Sequence, residues 1–525
     1  MNNTTLMFVL LSAIVLTQTL DAYLMETTDD ERDYDDLPLF LTPLIQENRL
    51  EEARMESRVG RLTESFGVTH AYSGYITVDQ LKGSNLFFFL VKSKNAKPNS
   101  PLILWLQGGP GQSSLLTALL ENGPIGVDKH GALYKRAVNL QDDYDVLYLD
   151  EPVGAGYSFT MNLTHGFPRS LEDMAVAMED FLRQFLCLFA EYNERDFYVS
   201  GESYGVRPAA ALAVRIHRLA QEGNPLSLNL NGVMLGVGFF REIQQQKDVS
   251  EYYLQLGLID LRDYVELKRR IQELNRRMQN NTMSPSTAVL YFDTFRSTSD
   301  FANPSFFNKI TSFTYDSNAL QATPPPEFAQ FNSLMNSDWF KKSVHVGTAA
   351  GFRQSDVLIL QNLASDLFRN ISNELEFLLR IRCRVVVYAG QVDMTFPIVK
   401  TQEFLLKLRW PEAEKFHSAA RQPWWGDAVD EDFAGYVTDG GHLRFVTLRF
   451  TGHYPFFDQP RDAHEIIRAF VENRSLLTKV IDANTGRYTL PHQSTGVKVS
   501  DFRSRNSRYR SGFEHQSPSS SGFDL

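Results

Sequence analysis

The sequence predicts an α/β fold, with a mostly parallel central sheet, helices on both faces and an inserted, mainly helical cap. Three observations carry this. Between residues 102 and 235, short apolar β-favouring runs alternate with longer stretches of helical spacing, the pattern of right-handed crossovers. The alternation stops after Phe240 and resumes at residues 385–388. Finally, Phe197-Tyr198-Val199 runs into Gly201-Glu202-Ser203-Tyr204-Gly205, a G-x-S-x-G turn, and then into an Ala-rich helical stretch at 209–219.

Each segment follows in chain order. Residues 1–22 read as a secretory signal peptide. The apolar run 6–16 is too short to span a bilayer, and it ends in Thr17-Gln18-Thr19 with a cut near Ala22. Residues 23–65 form an acidic segment, with the run 26–36 followed by mixed charged and apolar residues at 38–58, expected as a solvated tail or removable pro-region. The first part of the sheet domain covers 66–240. Strands are expected at 75–78 and 86–91 around a turn at 82–85, and at 102–106, 146–149, 197–200 and 232–235. Helices are expected at 171–185 and 209–222. Residues 241–340 carry more charge and few strand signals, with a helical pattern at 261–279, and read as the cap. The sheet returns in 341–480 with strands at 385–388 and 446–450, and 481–525 is expected to be a disordered Ser/Arg/Gly-rich tail.

A net charge of −11 argues against nucleic acid or an anionic membrane as the main partner. No stretch after the signal reaches 18 apolar residues, so no stable membrane span is expected. Sequons at Asn162, Asn280, Asn370 and Asn473 are candidate glycosylation sites if the chain enters the secretory pathway. Of the two cysteines, Cys187 sits in a helical run and Cys383 opens a strand; two unpaired core thiols are favoured over one disulfide. Oligomeric state has no signature.

Chance would produce G-x-S-x-G about 0.1 to 0.2 times in a chain this long, so the motif needs its context. A serine becomes a nucleophile when an oriented base takes its proton. The hydrolase order Ser, Asp or Glu, His is met by Asp393, just beyond the 385–388 strand, and by His453, just beyond the next. His442 also follows glycines but precedes its strand, so His453 is preferred as the group that reaches Ser203 from the same sheet edge. Tyr204 supplies one oxyanion N–H, and Gly109 in Gly108-Gly109-Pro110-Gly111 can supply the other. An ordinary tight turn is the plainer reading of those glycines. A phosphate cradle has little support because no Gly-Lys-Ser/Thr follows. Arg468 stands four residues after His464, so no zinc motif is formed, and no metal or other cofactor is expected.

Trp105-Leu106-Gln107-Gly108-Gly109-Pro110-Gly111, Glu121-Asn122-Gly123-Pro124, Pro152-Val153-Gly154, Gly201 to Tyr204, and Gly452-His453 with Asp458-Gln459-Pro460 together resemble the serine carboxypeptidase family. Pro38-Leu39-Phe40-Leu41-Thr42-Pro43, Tyr72-Ser73-Gly74-Tyr75 and Asn85-Leu86-Phe87-Phe88 look most like its vitellogenic carboxypeptidase-like branch. The resemblance implies an α/β-hydrolase fold and release of C-terminal amino acids from peptides in a secreted or lysosome-like acidic setting. It casts Ser203 as nucleophile, His453 as base, Asp393 as its orienter, and Gly109 with Tyr204 as the oxyanion hole. It also assigns the substrate's terminal carboxylate to Gln107, Gly108, Glu121 and Glu202. Two adjacent carboxyls do not both ionise readily, so one retains a proton to donate to that carboxylate. The run Gly205-Val206-Arg207-Pro208-Ala209-Ala210 departs from the family pattern, as do Gln107, Val237, Phe450 and Thr451, and most of the usual disulfide framework is missing. Those departures keep two alternatives open, a catalytically silent secreted binding protein on the same scaffold, or an esterase.

Overall fold

The structure, a computed structural model, describes residues 36–68, 70–95, 100–277, 287, 294–295, 304–354, 357–426, 432–481 and 488–489. The signal peptide, nearly all of the acidic run, the Asn280 sequon and residues 490–525 of the tail lie outside the described residues. Residues up to Leu476 make one compact unit. From Leu477 onward there is a second, small one, in which Val480–Ile481 pairs antiparallel with Tyr488–Thr489.

The first unit is built on one large sheet. Besides the two-residue strand Phe159–Thr160, its strands in this unit are β1 (Ala71–Asp79), β2 (Ser84–Val91), β3 (Leu102–Leu106), β4 (Asp145–Leu149), β5 (Asp196–Glu202), β6 (Asn229–Gly236), β7 (Arg384–Gly390), β8 (Gln422–Trp425), β9 (Gly435–Gly440) and β10 (Leu443–Leu448). Their spatial order is β1-β2-β4-β3-β5-β6-β7-β10-β9-β8. The six inner strands from β4 to β10 pair in parallel. Both edges are antiparallel.

A parallel sheet must be covered on both faces, and side-chain alternation along each strand does this. Leu102, Leu104 and Leu106 face a core completed by helices α1 (Leu171–Leu188), α2 (Val206–Gln221) and α4 (Ser372–Arg380). Ile103 and Trp105 face the opposite core, completed by α5 (Pro460–Val471) and residues 115–120. Helix α1 starts where Ser170 Oγ accepts the Asp173 N–H, satisfying one of the orphan amides of its first turn. Helix α3 (Leu261–Arg277) belongs to the long helical excursion between β6 and β7.

Three differences from the sequence reading have physical causes. Residues 38–58 are not a solvated tail. Leu41, Thr42, Ala53 and Ser57 are buried, Phe40 bridges to Tyr75 and Arg58 to Tyr72, and Arg54 pairs with Glu191. The antiparallel edge strands β8 and β9 had no clear pattern in the sequence, although Gly441 and His442, both at positive φ, close the β9–β10 hairpin with the backbone of a two-residue turn. Cys187 is not a core thiol. The buried stripe of α1 runs through Met178, Phe181, Leu182 and Phe185, and Cys187 lies off it, exposed, while Cys383 is partly buried; both are free.

Candidate active site

The elbow forms where β5 meets α2. Ser203 adopts φ +57°, and a Cβ on Gly201 would stand 2.2 Å from the Gly205 carbonyl oxygen, so the tight return requires glycine. Ser203 Oγ is thereby thrust out at the carboxyl end of the sheet. His453 Nε2 lies 2.9 Å from Ser203 Oγ, and His453 Nδ1 lies 2.8 Å from Asp393 Oδ2. The other Asp393 oxygen accepts the backbone N–H groups of Thr395 (2.8 Å) and Phe396 (3.0 Å), which fixes the carboxylate and leaves Oδ2 for the imidazole. Asp393 is fully buried and the Phe396 ring meets the His453 ring edge-on.

The loop after β3 lies against this elbow. A Cβ on Gly108 would stand 2.7 Å from both Ser203 Oγ and the Tyr204 nitrogen, so only glycine permits the approach. Gly109, at φ +110°, is the next residue of that loop.

Behind the serine lies a buried acid pair. Glu121, on a π-helical turn Thr117–Glu121, and Glu202, at the end of β5, are both sealed from water. Burial raises the Glu121 carboxyl well above the ordinary range, with the Glu202 charge adding to the effect. Glu202 is raised too, mainly by burial, while the Tyr388 hydroxyl, His453 and Glu121 pull the other way. Burial thus disfavours ionisation of both acids, and the pair keeps a proton beyond the range of an ordinary glutamate. Gln107 Nε2 donates to Thr117 Oγ1 at 2.6 Å and stands 3.4 Å from an oxygen of each acid. Tyr388, which the sequence placed only in a strand, donates its hydroxyl to Glu202 Oε1 at 3.0 Å. The Gly108 N–H is tied back to Gln107 Oε1 at 2.7 Å, so of the four residues assigned to a substrate carboxylate, Gln107, Glu121 and Glu202 cluster while Gly108 is bonded locally.

With this geometry in place, comparison with known proteins is decisive. The serine carboxypeptidase family profile matches residues 63–473. The chain belongs to the serine carboxypeptidase family. Venom serine carboxypeptidase of Apis mellifera is 31% identical over 83% of this chain and 91% of its own length. Vitellogenic carboxypeptidase of Aedes aegypti is 31% identical over 84% of this chain and 91% of its own. A solved prohormone-processing carboxypeptidase of Saccharomyces cerevisiae superposes with a TM-score of 0.66 at 20% identity, covering 83% of this chain and 99% of that one, and so shares the fold. This carboxypeptidase is therefore a hydrolase with the α/β-hydrolase architecture and peptide substrates.

The run after Tyr204, irregular as a family motif, has a structural explanation. Arg207 is fully buried and makes five hydrogen bonds: to the carbonyls of Phe239, Arg241, Asp366 and Arg369, and to Asp366 Oδ2 at 3.0 Å. Asp366 Oδ2 also accepts the Tyr204 hydroxyl at 2.8 Å. Arg207 thus ties the elbow helix to both the start and the later part of the helical excursion.

The remaining candidates separate cleanly. His442 sits in the β9–β10 turn, at the far end of β10 from His453, with its Nε2 3.8 Å from Glu412. His464 is a core histidine on α5, packed on Phe456 with Nδ1 donating to the Pro460 carbonyl, and burial lowers it to about 3, holding it neutral. Asn162 and Asn473 lie at the surface of turns, whereas Asn370 Nδ2 donates to Glu242, a bond that a glycan there would displace. Among the described residues no group of His, Cys, Asp and Glu is arranged to hold a metal ion, and no helix is long and apolar enough to cross a membrane.

Proposed function

We propose that this carboxypeptidase releases single residues from the free C-terminus of peptides through a Ser203–His453–Asp393 triad and an acyl-enzyme, working best at acidic pH. The observation that carries the proposal is the unbroken relay from Asp393 Oδ2 through His453 to Ser203 Oγ, with the buried Glu121–Glu202–Gln107 cluster directly behind the nucleophile. A peptide enters beneath the cap and its terminal carboxylate accepts hydrogen bonds from the protonated acid and the Gln107 amide. Ser203 Oγ attacks the last peptide carbonyl as His453 Nε2 takes its proton, and Asp393 steadies the imidazolium. The backbone N–H groups of Gly109 and Tyr204 receive the oxyanion. His453 then protonates the departing amino group, and a water molecule, deprotonated by the same nitrogen, cleaves the acyl ester and regenerates Ser203.

The signal-like residues 1–22 and the surface sequons support entry into the secretory pathway, with an extracellular or lysosome-like destination. The test is hydrolysis of amino-blocked dipeptides between pH 4 and 7 by the wild type and by Ser203→Ala. The expected result is loss of activity in the variant by at least about 10³-fold. Equal rates would overturn the proposal, and turnover of simple esters with indifference to a free C-terminus would make the chain an esterase.

A further inference from the structure

Asp316, Ser317, Asn318 and Ala319, from the helical excursion, lie across the two loops that carry Asp393 and His453. The Asp316 carbonyl accepts from Thr395 Oγ1 at 3.0 Å, and the Ala319 N–H donates to the Val392 carbonyl at 2.9 Å. This strap is therefore bonded on both sides of Asp393. The Ser317 carbonyl accepts the His453 N–H at 2.8 Å. Asn318 Nδ2 donates to Asp458 Oδ2 at 3.0 Å, and the same oxygen accepts the Gly452 N–H at 2.7 Å. The backbone of Gly452 and His453 is thus held by the strap, directly at His453 and through Asp458 at Gly452.

The closeness is built into the sequence. A Cβ on Gly452 would stand 2.3 Å from the Ser317 carbonyl oxygen and 2.7 Å from Asn318 Cβ, so any other residue there pushes the strap away. Asn318 is almost fully buried and braces its own loop by accepting the Leu320 N–H at 2.9 Å. Acid and base lie on separate loops after β7 and β10, and neither cysteine cross-links them. A triad tolerates little looseness, since a displacement of about 1 Å is enough to cost about a hundredfold in rate.

We propose that Asn318 and Asp458 are positioning residues that bind the His453 loop to the strap, coupling the seating of the helical excursion to the reach of His453 toward Ser203. The proposal rests on the triad reading above. Asp458, quoted in the sequence only as part of a motif, acquires a stated task, and Asn318 is a residue that no motif marks. Because Gln107, Glu121 and Glu202 meet the substrate carboxylate and the strap bonds to none of them, loosening the strap acts on kcat rather than on KM.

The test compares Asn318→Ala, Asp458→Ala and Asp458→Asn in the full chain, with concentrations set by the endpoint of fluorophosphonate labelling. Asn318→Ala is expected to lower kcat about tenfold or more with KM changed less than about twofold, and to slow labelling of Ser203 in proportion. Asp458→Asn keeps an oxygen acceptor in place and recovers most of the rate that Asp458→Ala loses. The double variant Asn318→Ala/Asp458→Ala is no slower than Asp458→Ala, because the two side chains act as one unit. Wild-type kcat and labelling rate in Asn318→Ala, with only a lowered Tm, would reduce the tie to a structural role and overturn the proposal. Should Asp458→Ala not fold, the Asn318→Ala and Asp458→Asn measurements decide. Wild-type activity in Ser203→Ala would instead remove the triad on which the proposal stands, so the two failures are distinguishable.

Discussion

Glu121 Oε1 and Glu202 Oε2 each stand 3.4 Å from Gln107 Nε2 in a pocket closed to water, which on the proposed reading receives the substrate's terminal carboxylate. Burial raises both acids above their ordinary 4.5, so the pair keeps a proton into the range where an isolated glutamate has lost it. As pH rises further, the donor is lost and a second negative charge faces the substrate. KM for peptides with a free C-terminus is expected to be flat in acid and then to climb roughly tenfold per pH unit once the pair ionises. Amide-capped peptides should show no such climb. Glu121→Gln, a permanent donor, should flatten the profile; an unchanged climb in that variant would remove the pair from substrate binding.

Asp393 gives a second expectation. Its Oδ1 is saturated by two backbone amides, so an asparagine there seats its oxygen on those amides and turns its NH₂ toward His453 Nδ1. That imposes the wrong imidazole tautomer. Asp393→Asn should lower kcat by about 10⁴-fold near neutrality while leaving Tm within a few degrees. Steady-state kinetics and a thermal melt on the same preparation check both halves.

Ser203, Asp393 and His453 were legible in the sequence because each stands at the end of a strand that the sequence also marks. Glu121 came into view only through a family resemblance, since nothing local to it signals Glu202, 81 positions away and brought together by the sheet. Asn318 and Asp366 have no sequence signal at all, because their partners Asp458 and Arg207 lie 140 and 159 residues distant. The N-terminal segment reads as solvated because charges on its exposed faces outnumber the few apolar residues, such as Leu41 and Ala53, that go inward. Strand β8 was hidden because Pro423 and the acidic residues beyond Gly426 interrupt the alternation around Trp424 and Trp425.

Arg207 and Asp366 form a wholly buried ion pair, in which the remaining donors of the guanidinium are spent on backbone carbonyls. Removing one partner strands the other charge. Arg207→Ala is expected to cost about 3–5 kcal/mol in denaturant unfolding, and Arg207→Met with Asp366→Leu should restore a substantial part of it. An Arg207→Ala loss below about 1 kcal/mol would mean the pair is not buried in solution.

Glu151 presents the opposite case, a buried carboxyl with neither oxygen hydrogen-bonded. Burial alone raises it from 4.5 to about 8. Below about pH 4.5 both folded and unfolded chains hold the proton, and the group costs the fold nothing electrostatically. Between 4.5 and about 8 the unfolded chain has released a proton that the folded chain retains, so stability falls as pH rises, levelling off above 8. The full penalty is on the order of 4–5 kcal/mol. Neighbouring Asp150, raised to about 7, accepts three hydrogen bonds from Ser113, Ser114 and Tyr157, so its carboxylate is partly compensated where that of Glu151 is not. Glu151→Gln abolishes the ionisation without changing shape. Its Tm should match the wild type near pH 4.5 and exceed it by several degrees at pH 8. The Glu151 contribution thus favours the fold in acid, where the Glu121–Glu202 pair also keeps a proton. A Glu151→Gln offset that is the same at both pH values would show that Glu151 is ionised or hydrated in the folded chain and contributes nothing to that preference.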